Sequence, residues 1–179
     1  MSTSFDIPSP DVFTTGTVGP PGERIFFLQV RDDELTVSVR CEKQQVAALA
    51  EYFDGLLDDL EPAPFGVANG DLGLIEPVSP IWTVGAIGVA YDEPSDRIVV
   101  VLEEITAAND DREEEDDEEP DDLDDLLGDA GASVKVRLSR AQVAAFVHHS
   151  RAIVASGRPP CRFCGLPIDA DGHPCPKMN

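Results

Sequence analysis

Chemistry-bearing residue types crowd the end of the chain. Between Cys161 and Cys175 the sequence reads CRFCGLPIDADGHPC, which holds two pairs of metal-ligand residues, Cys161 with Cys164 and His173 with Cys175. A Cys-x-x-Cys spacing lets two thiolates grip one ion from a tight turn, and Gly165 directly after it relieves crowding where the backbone amides bend toward sulfur. Residues two apart in an extended chain face the same side, so His173 and Cys175 can reach the same ion. Leu166–Gly172 is long enough for a small hairpin, with Asp171-Gly172 at its turn. Cys-x-x-Cys alone would also serve redox exchange. The added His and Cys at compact spacing point instead to tetrahedral Zn²⁺ in a Cys3His shell. A shell filled by four protein ligands leaves no place for substrate, so the expected zinc is structural. The segment's apolar residues are chiefly Phe163, Leu166 and Ile168, so the ion would supply much of its folding free energy.

Other reactive types are more dispersed. His148 and His149 stand beside Ser150 on a helical pattern, where adjacent positions do not provide the hydrogen-bonded geometry of a nucleophile and its base. Arg40 and Arg137 occupy matching strand ends and are candidates for a symmetric anion site, because guanidinium binds phosphate in bidentate fashion. The competing expectation is that each pairs with one of the many acids. Gly19-Pro20-Pro21-Gly22 lacks the Lys and Ser/Thr of a phosphate-binding loop and reads as a turn. Cys41 continues an apolar strand face and reads as a small buried hydrophobe.

These residues sit in an acidic chain. Among 179 residues, 35 Asp and Glu face 13 Lys and Arg, for a formal net charge of -22. That balance disfavours nucleic acid and anionic membranes as partners, since polyphosphate surfaces recruit Lys and Arg. No apolar run approaches the roughly 18 residues that a membrane span requires. The N-terminal MSTSFDIPSP lacks the basic and apolar regions of a signal peptide. Three of the four cysteines cluster beside a histidine rather than spreading through the chain as a disulfide framework would. The expected compartment is therefore the cytoplasm. The run from Asp110 to Asp125 holds 13 acids and one base, Arg112. It has almost nothing to bury and reads as a solvated, disordered insertion, with an acidic docking segment ending in Leu123–Leu127 as the sharper alternative.

The elements that must position the candidates come in two sets. VSVRCEKQQVAA from Val37 and VKVRLSRAQVAA from Val134 agree at seven of twelve positions at a shift of 97. ERIFFLQV from Glu23 matches DRIVVVLE from Asp96 at a shift of 73, Ser9-Pro10 matches Ser79-Pro80, and Gly16 and Gly19 match Gly85 and Gly88. Ordered agreement of this kind reads as an internal duplication. Each copy predicts three strands: Val12–Val18, Arg24–Val30 and Leu35–Cys41, answered by Ile81–Tyr91, Arg97–Glu103 and Ser133–Leu138. Period-two alternation supports half-buried antiparallel strands. A helix then closes each copy, with Val46, Leu49, Phe53, Leu56, Leu57 and Leu60 at helical spacing in the first and Val143, Phe146, Val147, Ile153 and Val154 in the second. Ser139 is placed to cap the second helix.

The expected fold is thus α+β: a duplicated βββα unit giving a six-stranded, mainly antiparallel sheet with two helices, plus a small zinc-binding hairpin. The pattern fits both an open sheet and one rolled into a barrel. The body spans residues 1–157, with repeat one at about 9–60, repeat two at about 79–155 and the acidic insertion at about 107–130. The zinc module spans 158–179.

The opening SPDVFTTGTVGPPGER and the ending CRFCGLPIDADGHPCP resemble an uncharacterised actinobacterial repeat-protein family over essentially the whole chain. The resemblance implies no catalytic residue. It does imply an association with a kinase-like protein of the phosphatidylinositol-kinase type and a histidine-phosphatase-like protein, encoded beside such chains. The functional expectation is a non-catalytic zinc-containing binding or adaptor protein whose partner is another protein. The alternative is an enzyme or sensor holding a phosphorylated small molecule between the repeats. Because loop-closure entropy grows only logarithmically with length, deleting Asp110–Asp129 is expected to leave the cooperative thermal transition in place. A chain so shortened that no longer folds, as followed by circular dichroism, would refute the insertion reading.

Overall fold

The structure is a computed structural model and describes residues 3–33, 35–61, 70–106, 131–157, 161–165, 168 and 175–177. The acidic stretch 107–130, the turn at Asp171-Gly172 and His173 lie outside the described residues. Among the described residues, seven strands and two helices follow in order: β1 (Phe5–Ile7), β2 (Val12–Val18), β3 (Ile25–Asp32), β4 (Leu35–Cys41), α1 (Lys43–Asp59), β5 (Val84–Asp92), β6 (Arg97–Glu104), β7 (Ser133–Leu138) and α2 (Arg140–Ala155). The α+β class is as expected. The single six-stranded sheet is not: β2-β3-β4 form one antiparallel sheet, and β1-β7-β6-β5 form another. No helix among the described residues is long and apolar enough to cross a membrane.

Two departures from the sequence reading explain the split. The short β1, with only three residues to announce it, pairs in parallel with β7, Phe5 opposite Val134 and Ile7 opposite Val136. Ile7 is almost fully buried, so the N-terminal strand completes the core of the other half. The second departure lies at Ile81–Thr83, expected as the start of a long strand. These residues instead run beside the end of β4: Ile81 N donates to Ser38 O at 2.9 Å, and Arg40 N donates to Trp82 O at 2.9 Å. Thr83 O then accepts from Ile105 N at 2.8 Å. This short segment stitches one sheet to the other.

The two halves, β2–α1 and β5–α2, share an element order, and their ladders fix which residues correspond. Leu28 lies between Thr15 and Val39. Val100 lies between Val89 and Val136 in the same fashion. Leu28 therefore corresponds to Val100, a shift of 72, one residue short of the 73 that the best sequence match favours. The slip turns every side chain of the strand to its other face. Ile25 and Ile98, aligned by sequence, accordingly differ: Ile25 is 38% exposed, whereas Ile98 is fully buried. The glycine matches fail as well, because Thr15 corresponds to Val89, a shift of 74, which leaves Gly16 opposite a position occupied by Ala90. A run such as IFFLQV or IVVVLE is apolar on both faces, so its period carries no register information.

One face of both sheets packs on the helix pair. Phe26, Leu28 and Val30 of β3 and Ile98, Val100 and Leu102 of β6 join Val46, Leu49 and Phe53 of α1 and Val143, Phe146 and Val147 of α2 in one core. Phe146 lies at its centre, with its ring centroid 5.0 Å from Phe13 and 5.6 Å, edge-on, from Phe53. On the opposite face of β3, the connection 70–75 is held by polar contacts. The buried Gln29 donates to Ile75 O and Ser38 Oγ and accepts from Ile75 N at 2.9 Å, while Thr14 Oγ1 donates to Leu72 O at 2.6 Å.

Each helix starts in a capping box whose glutamine has a second task. Ser139 Oγ accepts from Gln142 N, and Ser139 N donates to Gln142 Oε1 at 2.9 Å. In α1, Glu42 N donates to Gln45 Oε1 at 2.8 Å. Gln142 Nε2 then reaches Pro10 O at 2.7 Å, at the entry to β2, and Gln45 Nε2 reaches Val84 O at 3.2 Å, at the entry to β5. Each helix thereby ties itself to the first strand of the other half.

The one-residue slip makes a quantitative prediction. Ile98→Ala should cost about 2–5 kcal/mol of stability, as large-to-small core substitutions do, and Ile25→Ala less than about 1 kcal/mol. Urea unfolding midpoints measure both, and equal losses would argue for the 73-residue correspondence instead.

Candidate metal centre

The turn that holds the first ligand pair is built by its own backbone. Gly165 adopts φ 77°, in the left-handed region that a glycine enters without strain. Its N–H donates to Cys161 O at 2.8 Å and closes the turn. Inside it, the Phe163 amide points at Cys161 Sγ, 3.5 Å away. The Cys164 amide, followed by that of Phe163, favours the thiolate and holds the Cys161 thiol below its ordinary pKa.

Cys175 enters from ten residues further along. Its Sγ lies 3.9 Å from Cys161 Sγ, and the sulfurs of Cys161, Cys164 and Cys175 all fall within 4.8 Å of one another. None of the four cysteines is in a disulfide. The separation fits an ion better than a covalent bond: sulfurs at Zn–S distances of about 2.3 Å around a tetrahedron stand roughly 3.8 Å apart. Cys161 is buried, and Cys164 and Cys175 are half-buried. The three cysteines expected as ligands are therefore brought together. His173, expected as the fourth, lies outside the described residues. At the rim, Phe163 is 48% exposed, with the Arg162 guanidinium 5.2 Å from its ring centroid.

Cys41 belongs elsewhere, as expected. It is buried in β4, and desolvation, with the nearby Glu42 charge adding to it, pushes its thiol up to about 12. The helix residues satisfy themselves against main chain: Ser150 Oγ donates to Val147 O, and His149 Nε2 lies 2.9 Å from Thr15 O.

The two arginines of the expected symmetric anion site part company. Arg137 bonds Asp6 of β1 at 3.2 Å. Arg40 instead lines a cleft of about 400 Å³ to which Arg137 contributes nothing. Arg24 and Lys43 share that cleft with Arg40, and neither was singled out from sequence because neither belongs to a recognisable motif. Also unforeseen was a closed polar cluster in the second half. Arg140 Nε donates to Asp96 Oδ1 at 2.7 Å and Nη2 to Tyr91 OH at 3.0 Å, while Tyr91 OH donates to Asp96 Oδ1 at 2.8 Å. The Tyr91 hydrogen bond, then that of Arg140, holds the Asp96 carboxyl below its usual range. Only the fold brings these three residues together.

With the site's geometry in place, comparison with known families is decisive at one point. Residues 5–175 match the model of a family described as a protein of unknown function, DUF3090. The chain belongs to that family. No curated protein and no solved structure matches the chain. The DUF3090 match reaches Cys175 and so takes in the whole cysteine cluster along with the body.

Thiol counting tests the cluster. In the native metal-loaded chain, a thiol reagent should titrate the three clustered cysteines only slowly. A strong chelator should expose all three, and Cys41 should react only on unfolding, because its thiol is both buried and held protonated. Rapid reaction of all three without chelation would show that no ion holds them.

Proposed function

We propose that this DUF3090 protein is a non-catalytic cytoplasmic adaptor. Its body is two copies of one βββα unit, and its C-terminal module is folded around a structural Zn²⁺ held by Cys161, Cys164, His173 and Cys175. The observation that carries this reading is the convergence of three thiols within 4.8 Å, in a turn whose amides favour thiolate. Free cysteines gathered in this way suit a reducing compartment. With four protein ligands the ion has no open position, so its work is to shape the module, and Phe163 gives that module an exposed apolar contact next to a positive charge. A protein partner suits such a surface better than nucleic acid, given the net charge of -22. The resemblance to chains encoded beside a kinase-like and a histidine-phosphatase-like protein makes those two the partners to try first.

A second reading has one observation in its favour. The 400 Å³ cleft lies between the halves, with strand residues of the first half facing Ile153 and Val154 of α2. A phosphorylated small molecule bound there would make the protein a sensor or an enzyme.

Metal analysis of the purified chain, paired with binding to the kinase-like and phosphatase-like proteins, tests the adaptor reading. We expect one zinc per chain, its loss in Cys161→Ser and His173→Ala, and binding of one partner that disappears in Cys161→Ser and in a chain truncated after Pro160. A zinc-free native protein, or partner binding indifferent to both changes, would overturn it.

A further inference from the structure

We propose that the cleft between the two halves binds a small organic phosphate through Arg24, Arg40 and Lys43. This inference rests on the second reading above and is independent of the zinc module.

The argument comes from comparing corresponding positions. At the shift of 97 that relates the helices and their preceding strands, Arg40 corresponds to Arg137 and Lys43 to Arg140. At the shift of 72 that relates β3 to β6, Arg24 corresponds to Asp96. In the second half the two corresponding bases are matched: Arg140 is paired with Asp96 at 2.7 Å and Arg137 with Asp6 at 3.2 Å. In the first half, the carboxylate position is taken by a third base. Arg40 and Lys43 form no ion pair among the described residues, and Arg24 spends Nη1 on Ser156, whose carbonyl and hydroxyl accept at 2.9 and 2.8 Å. The one acid in the lining, Glu42, sits in capping-box geometry at the start of α1.

Three cations therefore share one cleft in a chain with 35 acids to choose from. Like charges gathered without partners repel, and a bound anion relieves the repulsion. Arginine and lysine together suit a phosphate: the guanidinium offers a fork of donors and the ammonium a point charge. The remaining wall is apolar, from Phe26, Ile153 and Val154, so the ligand should carry an apolar group on its phosphate. At about 400 Å³ the cleft has the size of a small-molecule site. An extended polyanion is disfavoured by the net negative charge around it, whereas a small dianion meets only the local field.

Titration calorimetry of the full chain at low salt, with phenyl phosphate, inorganic phosphate and benzoate as probes, tests the proposal. We expect one saturable site for phenyl phosphate, with inorganic phosphate and benzoate weaker. Arg40→Gln and Lys43→Gln should each weaken phenyl phosphate binding about tenfold or more, the loss of one charge-assisted contact. Arg137→Gln should change it less than about twofold, because that residue lies outside the cleft. Arg24→Asp supplies the carboxylate that the second half carries at the corresponding position, Asp96; it should abolish binding while leaving the cooperative thermal transition in place. The proposal fails if phenyl phosphate shows no saturable binding, if benzoate binds as tightly, or if Arg137→Gln weakens binding as much as Arg40→Gln.

Discussion

Neither half of this protein can bury its own apolar face alone, and the exchange of glutamine amides between them is the constraint on which the architecture rests. Gln45 and Gln142 each complete the first turn of their helix with one end of the side-chain amide. With the other end they hold a main-chain carbonyl at the entry to the opposite half's first strand. A side-chain hydrogen bond is worth only about 1 kcal/mol net. Here the geometric effect is larger than the energetic one. It sets where each helix begins relative to a strand that it does not follow in sequence, and so sets which turns of α1 and α2 meet. Phe146, between Phe13 and Phe53, then takes up the space that this placement leaves.

Much of this was legible in the residues. The strands at Leu35–Cys41 and Ser133–Leu138 alternate cleanly, and both helices announce their buried faces by spacing. The repeated Gln-Val-Ala-Ala marks the capping-box glutamine in both places, although its second contact needs the fold to be seen. What escaped had physical reasons. A three-residue strand such as Phe5–Ile7 has too few alternations to register. The uniformly apolar strands Ile25–Asp32 and Arg97–Glu104 invite a one-residue misalignment, because glutamate-arginine and aspartate-arginine flanks match better than the ladders do. The cysteine cluster was legible because ligand chemistry fixes both residue type and spacing. The grouping of Arg24 with Arg40 and Lys43 was not, because charges from separate strands carry no shared motif.

Charge is distributed by the same logic. In the second half every base of the corresponding set finds a carboxylate, and Arg140 also bonds the Glu61 carbonyl at the end of α1. In the first half Arg24 makes the matching main-chain contact, to Ser156 at the end of α2, but brings a positive charge where Asp96 brings a negative one. Two halves of common outline thus differ in electrostatic sign at one place. The cysteine turn, whose amides favour the thiolate of Cys161, lies some way along the chain from the positive cleft.

The parallel pairing of β1 with β7 has a consequence for how the chain is made. Phe5 must wait for Val134, 129 residues later, before its main-chain bonds can close. At ribosomal speeds of about 5–20 residues per second, that delay is roughly 6 to 26 seconds. Throughout it the nascent first half carries an N-terminal segment with nowhere to dock, and the buried seat of Ile7 does not yet exist. Closing that pair is a long-range step, of the kind whose loop-closure entropy slows folding.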